Sequence, residues 1–441
     1  MEKTLSTLTR KELRSIWDEL SPEEQVGNFK KLSAVEAGRF FAELDAREQA
    51  KIILTLPMKE RHVWFRALDP DDAADVIQET DEKDRPALLE MLDATTRHEV
   101  IALLTYAEDV AGGLMNPRYI ALRPELSVDE AISYIRRRSR EHIQVETIYY
   151  IYVLDNEQRL LGVASMRDLF RSSPEQKVQD MMRTQLITVA EQVDQEEISD
   201  LFAKHGLMAL PVVDDQGRMK GVVTVDDIVD VVKEEATEDI QKMGGTEALD
   251  APYLQSTIAE MIRKRAGWLT ILFLGEMLTA SALQYYQNEL AKAVILALFL
   301  PLIISAGGNA GSQASTLVIR AMALGEVKLR DWWRIVEREI VIGLSLGFIL
   351  ALVGFFRIVV WEAAFKTYGQ YYMLIALTVA GSVVGVVLWG TLVGSLLPLV
   401  LRRLGMDPAS ASAPFVATLA DVTGLIIYFT VASTILRGTL L

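Results

Sequence analysis

The spacing of apolar residues changes abruptly near residue 265. Upstream they recur singly among charged residues; from Trp268 onward they gather into long runs. A membrane-crossing helix needs about 20 mostly apolar residues. The runs predict five spans, at 266–287, 291–322, 336–361, 371–400 and 413–436. Basic residues precede the first (Arg263, Lys264, Arg265) and follow the second (Arg320, Lys328, Arg330, Arg334) and the fourth (Arg402, Arg403). The opposite loops are poor in bases, so the N-terminus is expected in the cytoplasm and the C-terminus outside.

The upstream part carries two repeats. Leucines recur every twelve residues at Leu20, Leu32, Leu44, Leu56 and Leu68, and again at Leu92. A capping residue usually follows (Ser21, Ser33, Asp45, Asp69, Asp93, with Asp81 after Thr80), and an acid comes three positions later at Glu24, Glu36, Glu48, Asp72 and Asp84. This is the capping-box pattern, in which the first side chain accepts from helix N–H groups and the acid reaches back. Each unit predicts a short helix and a turn, stacked into a small superhelix that is read as a scaffold. The second repeat is longer. Gly162 and Gly221 lie 59 residues apart in matching strand–turn–strand–helix segments, and the preceding Met115 and Met182 lie 67 apart. Each helix opens with Ser or Thr and has Asp three later: Ser165 with Asp168, Thr224 with Asp227. This pattern resembles a tandem pair of CBS domains, a regulatory module. The resemblance implies a possible nucleotide-ribose site at Ser165, Arg167 and Asp168, with Thr224 and Asp227 as the second-copy counterparts. Helix capping accounts for the same hydroxyl–carboxylate pairs, and is favoured for the second copy.

Composition sharpens this division. The 441 residues carry a formal charge of −15, yet the mean hydropathy is +0.20. An acidic water-soluble half is therefore fused to an apolar membrane half. Cysteine is absent and the four histidines (His62, His98, His142, His205) are scattered, none in the membrane half. Thiolate metal sites and disulfides are excluded, and any bound metal is expected to be a hard cation on oxygen ligands. Residues 1–4 begin no apolar segment, so no signal peptide is expected. No nucleophile–base pair, phosphate-binding glycine loop or histidine cluster points to an enzyme, and no nucleic-acid partner is expected.

Two features break the apolar runs. Gly307-Gly308-Asn309-Ala310-Gly311 follows Pro301 in the second span, and Asp421 lies in the fifth. A carboxylate at bilayer depth costs on the order of 3 kcal/mol, and persists where it meets water, an ion or a partner. The glycines permit either close helix packing or local unwinding around a cavity. Asn309 and Gln313 share one helix face, and Ser312, Ser315 and Thr316 add hydroxyls. Few basic residues lie in the spans, so a permeating cation is the favoured partner of Asp421. Glu276, in the first span, is a weaker candidate because nothing polar repeats around it.

The helix after the second CBS-like copy has Asp226, Asp230, Glu234 and Glu238 four residues apart, thickened by Asp227, Glu235 and Asp239. Like charges at this spacing destabilise a helix by about 0.2–0.5 kcal/mol per pair, and a bound cation would remove that repulsion. Asp69, Asp71, Asp72 and Asp75 offer a second acidic surface; both runs read as ordinary solvated faces or as the two sides of a bridging divalent-ion site.

Taken together, the chain is similar to the MgtE-type magnesium channels over nearly its whole length. The most specific motifs are residues 307–313 (GGNAGSQ), 417–424 (ATLADVTG) and 234–240 (EEATEDI). The resemblance implies a multidomain membrane protein. Its parts are an all-α superhelical N-domain (1–113), an α/β tandem CBS pair (114–172 and 173–233), a connecting plug helix (234–265) and a five-helix transmembrane pore domain (266–441). It implies a homodimer in the inner (plasma) membrane, with a pore between two membrane halves. Asp421, Asn309 and the carbonyl of Ala417 would face a hydrated Mg2+ ion. Regulatory magnesium would bind at Asp71, Glu196, Asp227, Asp230, Glu235, Glu238 and Asp239, with Asp71 facing Asp227; ATP is a possible second ligand. Two acidic positions of the family fall on Arg39 and near Gly206. A channel of the same build for Co2+ or Mn2+, and a membrane-anchored nucleotide sensor that conducts nothing, are the alternatives.

Overall fold

The computed structural model describes residues 9–140, 147, 149–249, 251–254 and 256–440. Residues 1–4 and His142, noted above, lie outside them. The chain divides into two compact units, Met1–Lys233 and Glu234–Leu441.

The first unit opens with short helices, among them Arg10–Ile16, Pro22–Phe29, Ala34–Phe41, Ala46–Thr55, Pro70–Gln78 and Ala94–Leu103. Full capping boxes form at Thr9/Glu12, Ser21/Glu24 and Asp45/Glu48, while Ser33 caps without its acid reaching back. Two units depart from the repeat. Asp69 makes no side-chain cap. The unit at Asp81 begins with a turn that delays its helix to Arg85–Met91, so Asp84 becomes the residue before the helix. Pro86 favours this later start, since a proline is tolerated only in the first turn. The repeated leucines converge on aromatic rings: Trp17 lies 4.8 Å from Phe40 and Phe29 lies 4.9 Å from Trp64. Each fully buried ring contributes about 1.5–3 kcal/mol of transfer free energy.

The two CBS copies each fold as a three-stranded sheet. In the first, Ala121–Leu122 pairs parallel with Tyr150–Leu154, which pairs antiparallel with Leu160–Ser165. In the second, Val189–Ala190, Ala209–Val213 and Met219–Thr224 repeat this order. Both hairpins shift register at corresponding points, Val153/Leu154 and Val212/Val213. The leading segment of each copy crosses to the other. Asn116 exchanges backbone hydrogen bonds with Val222, and Arg183 does so with Val163. This crossing explains the repeated glycines. A Cβ at Gly221 would lie 2.8 Å from the Met115 side chain, and one at Gly162 would lie 2.5 Å from Met182 Sδ. One apolar core runs from the N-terminal helices into the second copy, including Leu103, Met115, Ile198, Phe202 and Val223.

The helix Val225–Met243 carries the chain into the second unit. It stops there and does not continue to residue 265, because Gly245 takes a left-handed φ of 75°. Five helices long and apolar enough to span a membrane follow: Ile258–Tyr285, Val294–Ala323 with its 3-10 start, Leu329–Phe365, Tyr372–Arg403 and Ala413–Ile435. The expected 234–265 connecting helix is thus two elements, and the first membrane helix starts earlier than residue 266. Pro301 lies where the second membrane helix changes from 3-10 to α. It occupies the first turn of Leu300–Ala323, where its missing N–H has no intrahelical role.

Candidate ion path and acidic sites

The second membrane helix is continuous through residues 307–311, so its glycines serve packing and not unwinding. Gly390 and Gly394 of the fourth membrane helix meet Gly307 and Gly311 backbone to backbone. A Cβ at either fourth-helix position would strike the carbonyl of its partner. Small residues four apart allow this approach, which in lipid replaces hydrophobic burial as the source of helix association. The opposite face of the second membrane helix carries Ser305, Asn309, Gln313 and Thr316, all exposed on the single chain. Asn309 Nδ2 donates to Ser305 Oγ at 3.3 Å. Ser312 and Ser315 point elsewhere, donating to the carbonyls of Ala413 (3.1 Å) and Ala411 (2.8 Å).

Gly308 faces the fifth membrane helix. A Cβ there would lie 3.4 Å from Ala417 Cβ and 3.9 Å from Asp421 Oδ1. The second membrane helix therefore brings Asn309 alongside the segment that holds Ala417 and Asp421. The Ala417 carbonyl belongs to the continuous helix Ala413–Ile435, leaving one lone pair for another partner. Thr418 and Thr423 donate their hydroxyls to Pro414 (3.0 Å) and Leu419 (2.7 Å), and Trp389 Nε1 donates to Thr423 Oγ1 at 2.9 Å. Among the described residues no basic side chain pairs with Asp421. Arg357 instead lies 3.5 Å from the centroid of the Trp361 ring. The residue that does approach Asp421 is Glu276, whose carboxyl group is within hydrogen-bonding reach. This neighbour comes from another helix, which spacing within one helix cannot reveal.

In the first unit, Asp71 is 8% exposed and accepts from Asn116 Nδ2 at 3.0 Å. Its neighbour Asp72 also lies close to the second CBS copy. Asp72 is pushed up to about 6, chiefly by desolvation and then by Asp69, Asp227 and Asp226. Asp227 is also pushed up to about 6; desolvation leads, Asp226 and Asp230 add to it, and hydrogen bonds from Thr224 oppose it. Asp69 is raised by burial, and its Oδ1 is buried without a hydrogen-bond partner among the described residues. The approach of Asp72 to Asp226 and Asp227 depends on the meeting of helices Pro70–Gln78 and Val225–Met243, which spacing within either helix cannot reveal.

Further along that helix Asp230 pairs with Lys233 at 2.7 Å, and Glu235 is half-buried. Glu238 pairs with Lys242, which also reaches Asp407 Oδ2 at 2.6 Å. Burial raises the Asp239 carboxyl, with Asp407 adding and Lys242 opposing. Asp407 caps the turn Pro408–Ser410 ahead of the fifth membrane helix. Ser412 then caps that helix and accepts from Trp268 Nε1 at 3.1 Å. Glu196 is exposed in the first turn of Gln195–His205. Gly206 closes that helix in the left-handed region at φ 61°, a conformation that disfavours the family's acid there. Among the described residues no three His, Asp or Glu side chains gather closely enough to enclose a bare metal ion.

At the possible nucleotide site, Ser165 Oγ donates to Asp168 Oδ2 at 2.7 Å and accepts from the Asp168 N–H at 3.0 Å. The pair thus forms a helix cap, as Thr224 and Asp227 do, with Thr224 Oγ1 donating at 2.8 Å. Arg167 is exposed beside it.

Three family models match this chain: a divalent cation transporter domain (MgtE) over residues 300–431, an MgtE intracellular N domain over 8–109, and CBS domains over 107–175 and 178–234. The chain is 40% identical to a magnesium transporter MgtE of Thermus thermophilus, over 99% of this chain and 95% of that one. It is 30% identical to a magnesium transporter MgtE of Bacillus subtilis, over 97% and 95%. Among solved structures, the cytosolic domain of the Mg2+ channel MgtE in complex with ATP aligns at 39% identity. That alignment covers 51% of this chain and 90% of that one, with a TM-score of 0.47.

Proposed function

The chain belongs to the MgtE family of magnesium transporters, and from that premise we propose that it is a magnesium-selective, magnesium-gated homodimeric channel. It is a transporter, not an enzyme. It sits in the inner membrane with its acidic half in the cytoplasm, as the basic loops favour. The observation that carries this reading is the polar stripe Ser305, Asn309, Gln313 and Thr316 beside Asp421. Lipid cannot satisfy such a stripe. A second copy applied to this face would enclose it as a water-filled path, with Asp421 supplying the charge. Magnesium dehydrates reluctantly, so Asp421, Asn309 and the Ala417 carbonyl would hold it through its water shell.

Gating follows from the soluble carboxylates. Asp72 and Asp227 are desolvated next to other acids, so their close approach is unfavourable while they are charged. Regulatory magnesium among Asp71, Asp72, Glu196, Asp227, Asp230, Glu235, Glu238 and Asp239 would supply the positive charge that makes this approach favourable. The ion must bind the closed arrangement more tightly, since equal affinity for both shifts nothing. The route to the pore is the end of the connecting helix, where Lys242 grips Asp407 just before the fifth membrane helix. ATP at Ser165, Arg167 and Asp168 would have to compete with the Ser165–Asp168 hydrogen bond, and so would act as a modulator of this switch.

The test is magnesium flux into liposomes containing wild-type protein or Asp421→Asn. Flux in the wild type, lost in the variant at unchanged folding and dimerisation, supports the channel. Equal flux in both removes Asp421 from the path, and preferred flux of Co2+ or Mn2+ reassigns the cargo.

A further inference from the structure

The first membrane helix brings Gly275, Glu276 and Thr279 to the level of Asp421. A Cβ on Gly275 would lie 2.8 Å from Thr418 Cγ2, so the first and fifth membrane helices make a close contact there. That approach carries the Glu276 carboxyl to Asp421. Neither helix has a Lys or Arg between Trp268 and Tyr285 or between Ala413 and Ile435. Two carboxylates facing each other at membrane depth are unfavourable unless positive charge comes between them.

A second observation points to what comes between. Thr279, one turn beyond Glu276 on the same helix face, is 7% exposed, and its Oγ1 has no hydrogen-bond partner among the described residues. Thr270, Ser281, Thr418 and Thr423 all return their hydroxyl to the carbonyl one turn back. Thr279 does not. A buried hydroxyl without a partner is costly, and this one lies one turn from Glu276 on the same helix. Its ligand is therefore small, polar and drawn by negative charge, which describes the water of a hydrated cation.

We propose that Glu276 is a second ion-positioning carboxylate, which together with Asp421 and the Thr279 hydroxyl forms a station for one hydrated divalent cation. This rests on the channel reading above and adds a group to its path. Two carboxylates match the charge of one divalent ion, and Thr279 contacts the water shell that magnesium retains. Asp421 selects; Glu276 raises occupancy. Its loss therefore acts on the concentration at half-maximal flux more than on the maximum.

The test compares wild type, Glu276→Gln, Glu276→Asp and Thr279→Val, all as full-length protein. Glu276→Gln keeps size and shape, so folding is checked by elution position alone. In liposomes it should raise half-saturating magnesium by about tenfold with maximal flux largely kept. Glu276→Asp should recover part of the loss, and Thr279→Val should give a smaller rise in the same direction. Unchanged half-saturation in Glu276→Gln overturns the proposal. A second measurement separates this from failure of the channel reading. Hexaamminecobalt(III), an inert cation shaped like hydrated magnesium, should raise the melting temperature of detergent-solubilised wild type more than that of Glu276→Gln. A differential shift from a wild type that passes no magnesium would retain the station and discard the channel. Equal shifts in both proteins would discard the station.

Discussion

Both halves of the molecule set carboxylate against carboxylate, but they hold them by different means. In the soluble half, Asp72 meets Asp226 and Asp227 where an apolar core joins the N-terminal helices to the second CBS copy. In the membrane half, Asp421 meets Glu276 where Gly275 lets the first membrane helix close on Thr418 of the fifth. The first pair lies outside the membrane-spanning helices, so pH or a bound ion can tune its repulsion. The membrane pair is held on two apolar helices, at a contact where a Cβ on Gly275 would crowd Thr418. On the function proposed above, the first pair would serve sensing and the membrane pair passage.

The sharpest way to break this contrast is to neutralise one acid in each half. Asp421→Asn should reduce magnesium flux by about a hundredfold or more, since it removes the charge in a low-dielectric setting. Asp72→Asn should leave the maximal flux intact and change only the magnesium level at which the channel closes. Similar loss in both variants, measured in the same liposomes, would erase the distinction.

Packing gives the next largest effect. Gly394→Val places branched carbon against the Gly311 carbonyl. Overpacking of this kind typically costs about 1–3 kcal/mol or more, so the melting temperature in detergent should fall clearly. The soluble counterpart, Gly206→Ala, has open space around its Cβ and only a strained φ of 61° to oppose it. It should cost about 1 kcal/mol, and an equal fall for both would mean that backbone contact does not set the membrane core.

A pH series probes the soluble pair. The carboxyls of Asp72 and Asp227 are raised from 3.8 to about 6 in the folded chain. The folded arrangement therefore binds protons more tightly than the unfolded chain does. Its stability contribution is full below about pH 4 and is lost as pH rises through about 6. In the absence of divalent ions, protease protection of the half that carries these carboxyls should accordingly weaken between about pH 4 and about pH 6. Magnesium should restore it at neutral pH. Protection that strengthens with pH would reverse the assigned sign.

The smallest effect is local. Asp45→Ala removes the cap of Ala46–Thr55, whose Oδ1 accepts from the Glu48 N–H at 2.7 Å. A lost cap costs about 1 kcal/mol, seen as a modest drop in the melting temperature of the soluble half with flux unchanged.

The sequence was informative wherever the physics is local. Capping needs residues three apart, so Ser21 with Glu24 and Asp45 with Glu48 were legible, and so were five apolar helices. The same local view erred at Asp81, where Pro86 delays the helix, and at Met243, where Gly245 ends it. It gave reason to examine Asp421 and residues 307–311, because a charge or a glycine cluster in an apolar run is anomalous from any viewpoint. It could not choose between packing and unwinding for those glycines, since the answer lies in Gly390 and Gly394, about 80 residues away in the chain. Nor could it bring Asp72 to Asp227, or Glu276 to Asp421, because those neighbours come from other helices. Periodicity and composition determined the elements, their order and the chemistry on offer. Which carboxylates stand together was decided only by tertiary structure, because electrostatic and steric interactions depend on distance in space and not along the chain.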